Sequence, residues 1–284
     1  MIPRPSLRSA ALGSGGMAGA AAASLGVLVA QARLARRAIG PQRGVPPYQD
    51  GRFGPTTGTS LRLALLGDSV AAGLGAQTAA DTVAGALVRG VAASSRRPVS
   101  MINHAVVGAR SADLERQVTR CLSARPHVAV IIIGANDVTH LVPHHLAAQR
   151  LALAIDRLSA VGTVVVVGPC PDLGTVRPVG PPLRWVAREL SRSLAAVQRR
   201  AAARSGARVV HLYDLLGPEF EVHAEAMFGP DLFHPSALGY RRIGAHLLPP
   251  VLDALGLPSA RPRLELAAPV PRVGGPDLPP GLAT

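Results

Sequence analysis

Residues 61–75 read LRLALLGDSVAAGLG, an apolar run that ends in a turn rich in glycine. The run stops at Gly67, which predicts a buried strand followed by a sharp turn. Ser69 lies in that turn, just behind the carboxyl end of the strand, where open α/β sheets place their chemistry. Ser69 is therefore a candidate nucleophile, with simple capping of the next helix as the alternative.

The same glycines do not form a nucleotide-binding motif. A G-x-G-x-x-G sequence that starts at Gly73 would need a third glycine where Thr78 stands. The chain also contains no lysine, so it lacks the residue that a P-loop places on the β- and γ-phosphates. We therefore expect no nucleotide cofactor.

Composition excludes further classes of function. The net charge of +13 comes from 30 arginines that are spread along the chain, and aromatic residues make up only 3%. Nucleic-acid binding needs basic residues gathered on one face, so we expect no nucleic-acid partner. Cys121 and Cys170 show no metal-binding spacing, and the sequence leaves open whether they form a disulfide.

Apolar runs and amphipathic segments alternate through the middle of the chain. Strands are predicted at 61–67, 99–103, 127–133, 163–167 and 207–212, and the main helices at 78–93, 146–160, 183–204 and 237–255. This alternation of strands and helices predicts an α/β domain with a parallel sheet, in which the crossover connections are right-handed. We expect five parallel strands with helices on both faces.

A second chemical signal is the sequence Asp231-Leu232-Phe233-His234-Pro235. A serine hydroxyl needs a base to take its proton, and His234 can supply one. Asp231 is three residues away and can orient the imidazole, while Pro235 restricts the backbone at His234. The alternative is a surface histidine in front of a helix, with Asp231 capping the local turn.

Three donors at strand ends could stabilise an oxyanion. They are the backbone N–H of Ser69, the backbone N–H of Gly108 and the side-chain amide of Asn136. Gly108 and Asn136 could equally be ordinary turn residues. Their positions behind successive predicted strands favour a functional role.

These four blocks together resemble the SGNH (GDSL-type) hydrolases. The blocks are Gly67-Asp68-Ser69, Gly108, Gly134-Ala135-Asn136-Asp137 and Asp231-x-x-His234-Pro235, within residues 61–255. The resemblance implies a three-layer flavodoxin-like fold with strand order 2-1-3-4-5. It also implies ester or thioester hydrolysis through an acyl-enzyme, without metal or cofactor. One departure is Val70, where the family name has leucine.

The interpretation is therefore a serine esterase with Ser69 as nucleophile, His234 as base and Asp231 as orienting acid. Ser69, Gly108 and Asn136 would form the oxyanion hole. We expect a small-molecule or lipid ester as substrate. One alternative is an acetyl or acyl esterase or transferase that acts on a cell-envelope glycan. Another is a non-catalytic envelope or lipid-binding protein of the same fold.

The ends of the chain carry their own predictions. Residues 1–39 contain an uncharged segment, 10–30, between arginines, which is typical of a signal or membrane anchor. Residues 40–60 are predicted as a linker, 61–256 as the hydrolase domain and 257–284 as a Pro-rich disordered tail. We expect a secreted or membrane-anchored enzyme, although the arginines behind the apolar segment leave a cytoplasmic orientation open.

Overall fold

The computed structural model describes residues 7–40, 44–47 and 49–259. The predicted disordered tail lies outside the described residues from position 260 onward, as do the first six residues of the predicted signal or anchor segment.

A single mixed sheet of six strands forms the centre of the domain. The strands are β1 (Gly51–Phe53), β2 (Leu61–Gly67), β3 (Val99–Asn103), β4 (Val128–Ile132), β5 (Val164–Gly168) and β6 (Arg208–Val209). They are arranged in the order β1-β3-β2-β4-β5-β6, and all neighbours except β1 and β3 are parallel. The five parallel strands therefore follow the order 2-1-3-4-5 that the resemblance implied.

Ten helices belong to the described part of the chain. They are α1 (Leu7–Ile39), α2 (Ser69–Ala72), α3 (Val83–Ser95), α4 (Leu114–Leu122), α5 (Ala135–Thr139), α6 (His144–Ser159), α7 (Leu183–Arg204), α8 (Leu212–Val222), α9 (Ala224–Met227) and α10 (Ala237–Ala254). Short 3₁₀ turns precede α3, α4 and α7 at Ala79–Asp81, Ser111–Asp113 and Leu173–Thr175.

The sheet separates two apolar cores, and β2 contributes to both. Leu63 and Leu65 belong to the core that is shared with α3, α8 and α10. Ala64 and Leu66, which alternate with them, belong to the core that is shared with α4 and α6. Side chains on a strand alternate between faces, so a strand that is buried on both sides is apolar at every position. This confirms the predicted three-layer α/β fold.

The predicted strand count of five was one too low. The sixth strand, β1, lies inside the stretch predicted as a linker, and its three residues pair antiparallel with β3. All three are exposed, so β1 has no buried face that an apolar pattern could indicate.

The last predicted strand, 207–212, was too long. Only Arg208 and Val209 pair with β5, and the chain then turns so that Leu212 starts α8. The helix contains Gly217 and Pro218, two residue types that locally favour a turn over a helix.

The end of α1 contacts the main domain. The side chain of Gln31 donates to the carbonyl of Pro181 at 2.6 Å and accepts from the N–H of Leu183 at 3.0 Å. Since Leu183 is the first residue of α7, Gln31 satisfies a helix-end N–H that has no partner inside its own helix. Ala35, one turn further along α1, is buried. Within the described residues, we find no helix with both the length and the apolarity that crossing a membrane requires.

Candidate active site

The candidate nucleophile stands at the junction of β2 and α2. Asp68 caps this helix, and its side chain accepts from the N–H of Val70 at 3.0 Å. Gly67 has a φ of +134°, and a Cβ at that position would lie 1.8 Å from the carbonyl oxygen of Ile132. Glycine is thus required at Gly67 by both conformation and space, and the tight turn it permits holds Ser69 at the end of the sheet.

The structure brings Ser69, His234 and Asp231 into one hydrogen-bonded row. Ser69 Oγ lies 3.1 Å from His234 Nε2, although the two residues are 165 positions apart in the sequence. On the other side of the ring, His234 Nδ1 lies 2.6 Å from Asp231 Oδ2. Ser69 and His234 are both buried, with 5% and 1% of their surface exposed. The first distance is within the range for proton transfer between Ser69 and His234, and the second is a short hydrogen bond that orients the ring.

Asp231 organises its own turn as well as the histidine. Its Oδ1 atom accepts from the N–H groups of Phe233 at 3.0 Å and His234 at 2.9 Å. Leu232, between Asp231 and Phe233, has a φ of +53°, in the left-handed region. The turn is closed by the N–H of Gly229, which donates to the carbonyl of His234 at 2.8 Å. One carboxylate therefore fixes both the backbone of His234 and the direction of its ring.

The electrostatics of this turn determine which ring nitrogen carries the proton. Burial alone would raise the pKa of Asp231, but hydrogen bonds from the His234 ring and from the Phe233 and His234 amides bring it below its ordinary value. An ionised carboxylate can only accept hydrogen bonds, so Nδ1 of His234 must carry the hydrogen that points at it. Nε2 is then the acceptor that faces the Ser69 hydroxyl.

Of the other two candidate oxyanion donors, Asn136 contacts Ala109, the residue that follows Gly108. The amide nitrogen of Asn136 donates to the carbonyl of Ala109 at 3.0 Å, which leaves its second hydrogen for another acceptor. Gly108 has a φ of +81°, and the space where its Cβ would be is open. As the first residue of α2, Ser69 has an N–H without a partner inside its helix. The role of these three groups as donors to a developing anion stays a prediction.

Two buried carboxylates support the loops around these donors. Asp137 accepts from the Ser111 hydroxyl at 2.7 Å and from the Ser111 N–H at 3.1 Å. Burial raises the pKa of Asp137, and the hydrogen bonds from Ser111 oppose that effect. Burial also raises the pKa of Asp68 to about 7, against the hydrogen bond from Val70 and the nearby charge of His234. Both carboxylates therefore have structural partners next to the candidate site.

Two buried glutamines hold the strand ends in place, and the sequence analysis missed both. Gln117 on α4 accepts from the N–H of Gly67 at 2.7 Å and donates to its carbonyl at 2.9 Å. Gln198 on α7 accepts from the N–H of Cys170 at 2.9 Å and donates to the carbonyl of Ile133 at 3.2 Å. For Gln117 the sequence offers one indication that it is buried: it lies on the apolar face of its helix, next to Val118.

The cysteines do not form a disulfide. Cys121 and Cys170 are both free and buried. Burial raises the pKa of each thiol. Among the residues that the structure describes, no three His, Cys, Asp or Glu side chains are grouped as a metal site requires.

Comparison with known sequences gives a consistent result. A model of the GDSL-like lipase/acylhydrolase family matches residues 65–242. The chain is 36% identical over 257 residues to the GDSL-like esterase Rv1075c of Mycobacterium tuberculosis, an alignment that covers 85% of this chain and 82% of that protein.

Solved structures resemble the fold. The lipase/acylhydrolase from Enterococcus faecalis superposes with a TM-score of 0.55 at 22% identity, over 69% of this chain and 97% of that one. A catalytic mutant of Axe2, an acetylxylan esterase from Geobacillus stearothermophilus, has a TM-score of 0.55 at 16% identity, over 74% of this chain and 100% of its own. At these identities the likeness concerns the fold alone.

Proposed function

The chain belongs to the GDSL-like lipase/acylhydrolase family and is a hydrolase that acts on ester bonds, and on that basis we propose that it cleaves carboxylic esters through an acyl-enzyme on Ser69. The observation that carries the proposal is the hydrogen-bonded row of Ser69, His234 and Asp231, with distances of 3.1 and 2.6 Å. Because the chain belongs to a family of ester hydrolases, we set aside the alternative of a non-catalytic envelope or lipid-binding protein.

In the first half of the reaction, His234 Nε2 takes the Ser69 proton as Oγ attacks the acyl carbon. Asp231 stabilises the positive charge that forms on the ring and keeps the ring in place. The donors at Ser69, Gly108 and Asn136 stabilise the negative charge that forms on the carbonyl oxygen. One such donor typically raises the rate about 10²–10³-fold. His234 then gives its proton to the alcohol oxygen, and the alcohol leaves.

In the second half, a water molecule replaces the alcohol. His234 takes a proton from the water, which attacks the acyl-enzyme through the same oxyanion arrangement. Collapse returns the proton to Ser69 Oγ and releases the carboxylic acid. If a sugar hydroxyl replaced water, the same residues would catalyse acyl transfer. Formation of an acylated sugar when a sugar acceptor is added would indicate transfer, whereas release of the carboxylic acid alone would indicate hydrolysis.

The direct test uses the serine itself. A fluorophosphonate should label the full-length chain at Ser69, as located by peptide mass spectrometry, and Ser69→Ala should abolish both labelling and hydrolysis of p-nitrophenyl butanoate. Ser193→Ala is a matched control, because Ser193 lies on α7 with His144 as its partner at 3.2 Å. Hydrolysis that survives in Ser69→Ala would overturn the proposal.

Export to the cell envelope forms a separate part of the proposal. Its support is the sequence alone: arginines at Arg4 and Arg8, an uncharged stretch, and the small-x-small sequence at 30–32. Protease added to intact cells should digest the domain, whereas digestion only after lysis would place it inside.

A further inference from the structure

An apolar cavity is lined in part by residues that flank the proposed catalytic pair in the sequence. Val70, which directly follows Ser69, lines one part of it, and Phe233 and Pro235, which flank His234, line another. From there the cavity extends between α8, α10 and the loop behind β5. Ser69 and His234 do not line the cavity themselves, but the residues that follow Ser69 and flank His234 do, which places the cavity beside the proposed catalytic pair.

We propose that Gly217 sets the depth of this cavity, called the acyl cavity below, and thereby limits the length of the acyl chain that the enzyme accepts. The inference rests on the proposed function. An acyl carbon bonded to Ser69 has three other substituents, and the oxyanion and the alcohol oxygen are assigned to the donors and to His234. The acyl chain is the remaining group. Apolar walls favour a hydrocarbon chain, whereas an alcohol that carries hydroxyls would lose hydration there without hydrogen bonds in return.

The size of the acyl cavity limits the length of the chain. Its volume is about 70 Å³. Because one water-sized occupant needs roughly 10–15 Å³ of such volume, the cavity holds about five such occupants. An acyl chain of about four to six carbons would fill that space, and a longer chain would have to leave it.

Gly217 lies at the wall of the acyl cavity, on α8. A Cβ at this position would lie 3.5 Å from Asp172 Cβ and 3.6 Å from its Oδ2, which is ordinary contact. Asp172 is held in place, because Oδ2 pairs with Arg188 Nε at 3.2 Å and Oδ1 accepts from the N–H of Gly174 at 2.7 Å. Arg188 in turn pairs with Glu221 at 2.9 Å. A leucine at position 217 would therefore extend into the cavity rather than displace Asp172.

The test compares kcat/KM of the full-length enzyme on p-nitrophenyl esters from acetate to dodecanoate. In the unaltered enzyme we expect kcat/KM to rise roughly four-fold for each buried methylene, to peak at butanoate or hexanoate, and then to fall. Gly217→Leu should lower kcat/KM for hexanoate at least ten-fold and leave that for acetate within two-fold. Acetate hydrolysis thus reports that the variant is folded and that the catalytic row is intact.

A second variant changes the cavity in the opposite direction. Leu216→Ala removes a side chain from the wall of the acyl cavity and should move the optimum towards octanoate. Leu215→Ala is the matched control, since Leu215 lies on the same helix with 48% of its surface exposed and should leave the profile unchanged.

Several results would overturn the inference while leaving the proposed function standing. One is a chain-length profile that neither variant moves; another is an equal loss on all esters in Gly217→Leu. A third is an effect that follows the length of the alcohol in a series of acetate esters, which would place the alcohol in the cavity. In each case Ser69→Ala would still abolish hydrolysis, whereas activity in Ser69→Ala would remove the proposed function itself.

Discussion

Replacement of Asp231 by asparagine separates the chemistry of the proposed catalytic row from its geometry. Oδ1 of Asp231 accepts from the backbone of Phe233 and His234, and an asparagine oxygen can keep both bonds. At the Oδ2 position, however, the carboxylate oxygen would become an NH₂ group, which donates to Nδ1 of His234 instead of accepting from it. The ring must then carry its hydrogen on Nε2, where Ser69 needs an acceptor.

The expected loss is large because the contact is short and charged. His234 Nδ1 and Asp231 Oδ2 are 2.6 Å apart. In a serine hydrolase with this arrangement, the same substitution leaves the geometry intact and lowers kcat roughly 10⁴-fold, equivalent to about 5.4 kcal/mol of transition-state stabilisation. We expect a decrease of that order for Asp231→Asn, with the free energy of unfolding changed by less than about 1 kcal/mol.

The assay is steady-state hydrolysis of p-nitrophenyl butanoate by the full-length chain, with urea unfolding of the same samples. Asp231→Ala serves as a comparison, because it also loses the acceptor that closes the turn and should therefore be less stable by about 1–2 kcal/mol. Asp156→Asn, a change at an exposed position on α6, is the matched control. An Asp231→Asn enzyme that keeps more than a tenth of the original kcat would refute the role assigned to Asp231.

Three further predictions concern the groups around the row. Asn136→Ala should lower kcat about 10²–10³-fold in the same assay, and an unchanged kcat would exclude Asn136 as an oxyanion donor. Gly67→Ala places a Cβ against the carbonyl of Ile132 and should lower the free energy of unfolding by on the order of 3 kcal/mol, as measured with urea; equal stability would contradict the tight turn. Burial raises the pKa of Asp68 to about 7, so the folded chain binds more protons than the unfolded chain between about pH 4 and 7, and this group makes stability fall as pH rises through that window. Asp68→Asn should therefore gain stability relative to the parent by up to about 1.4 kcal/mol per pH unit across it, and a difference independent of pH would contradict the raised pKa.

The strands that could be predicted are those whose burial requires a recognisable pattern of apolar residues in the sequence. β2, β4 and β5 are covered on both faces and appear as continuous apolar runs. β1 lies at one edge of the sheet and its three residues are exposed, so no apolar period indicates it. β6 lies at the other edge with two paired residues, so the strand predicted at 207–212 was located correctly but too long. α8 was missed because Gly217 and Pro218 are locally typical of a turn, whereas packing against the core maintains the helix.

The candidate site was predictable to a similar degree. Short motifs identified Ser69, Asp231 and His234, since each motif has a local chemical reason. That Ser69 and His234 meet depends on the whole fold, because 165 positions separate them. The position of Gln117 on the apolar face of α4 marks it as a buried polar residue, but its partners, the N–H and carbonyl of Gly67, are brought to it only by the whole fold.

The turn at Asp231 holds the proposed acid and the proposed base together as one local unit. The Asp231 carboxylate bonds both its own turn and the imidazole within four residues, so the contacts that align the acid with the base are local. The consequence is that a shift elsewhere in the fold can change the distance from the imidazole to Ser69 Oγ while the acid and the base stay aligned with each other.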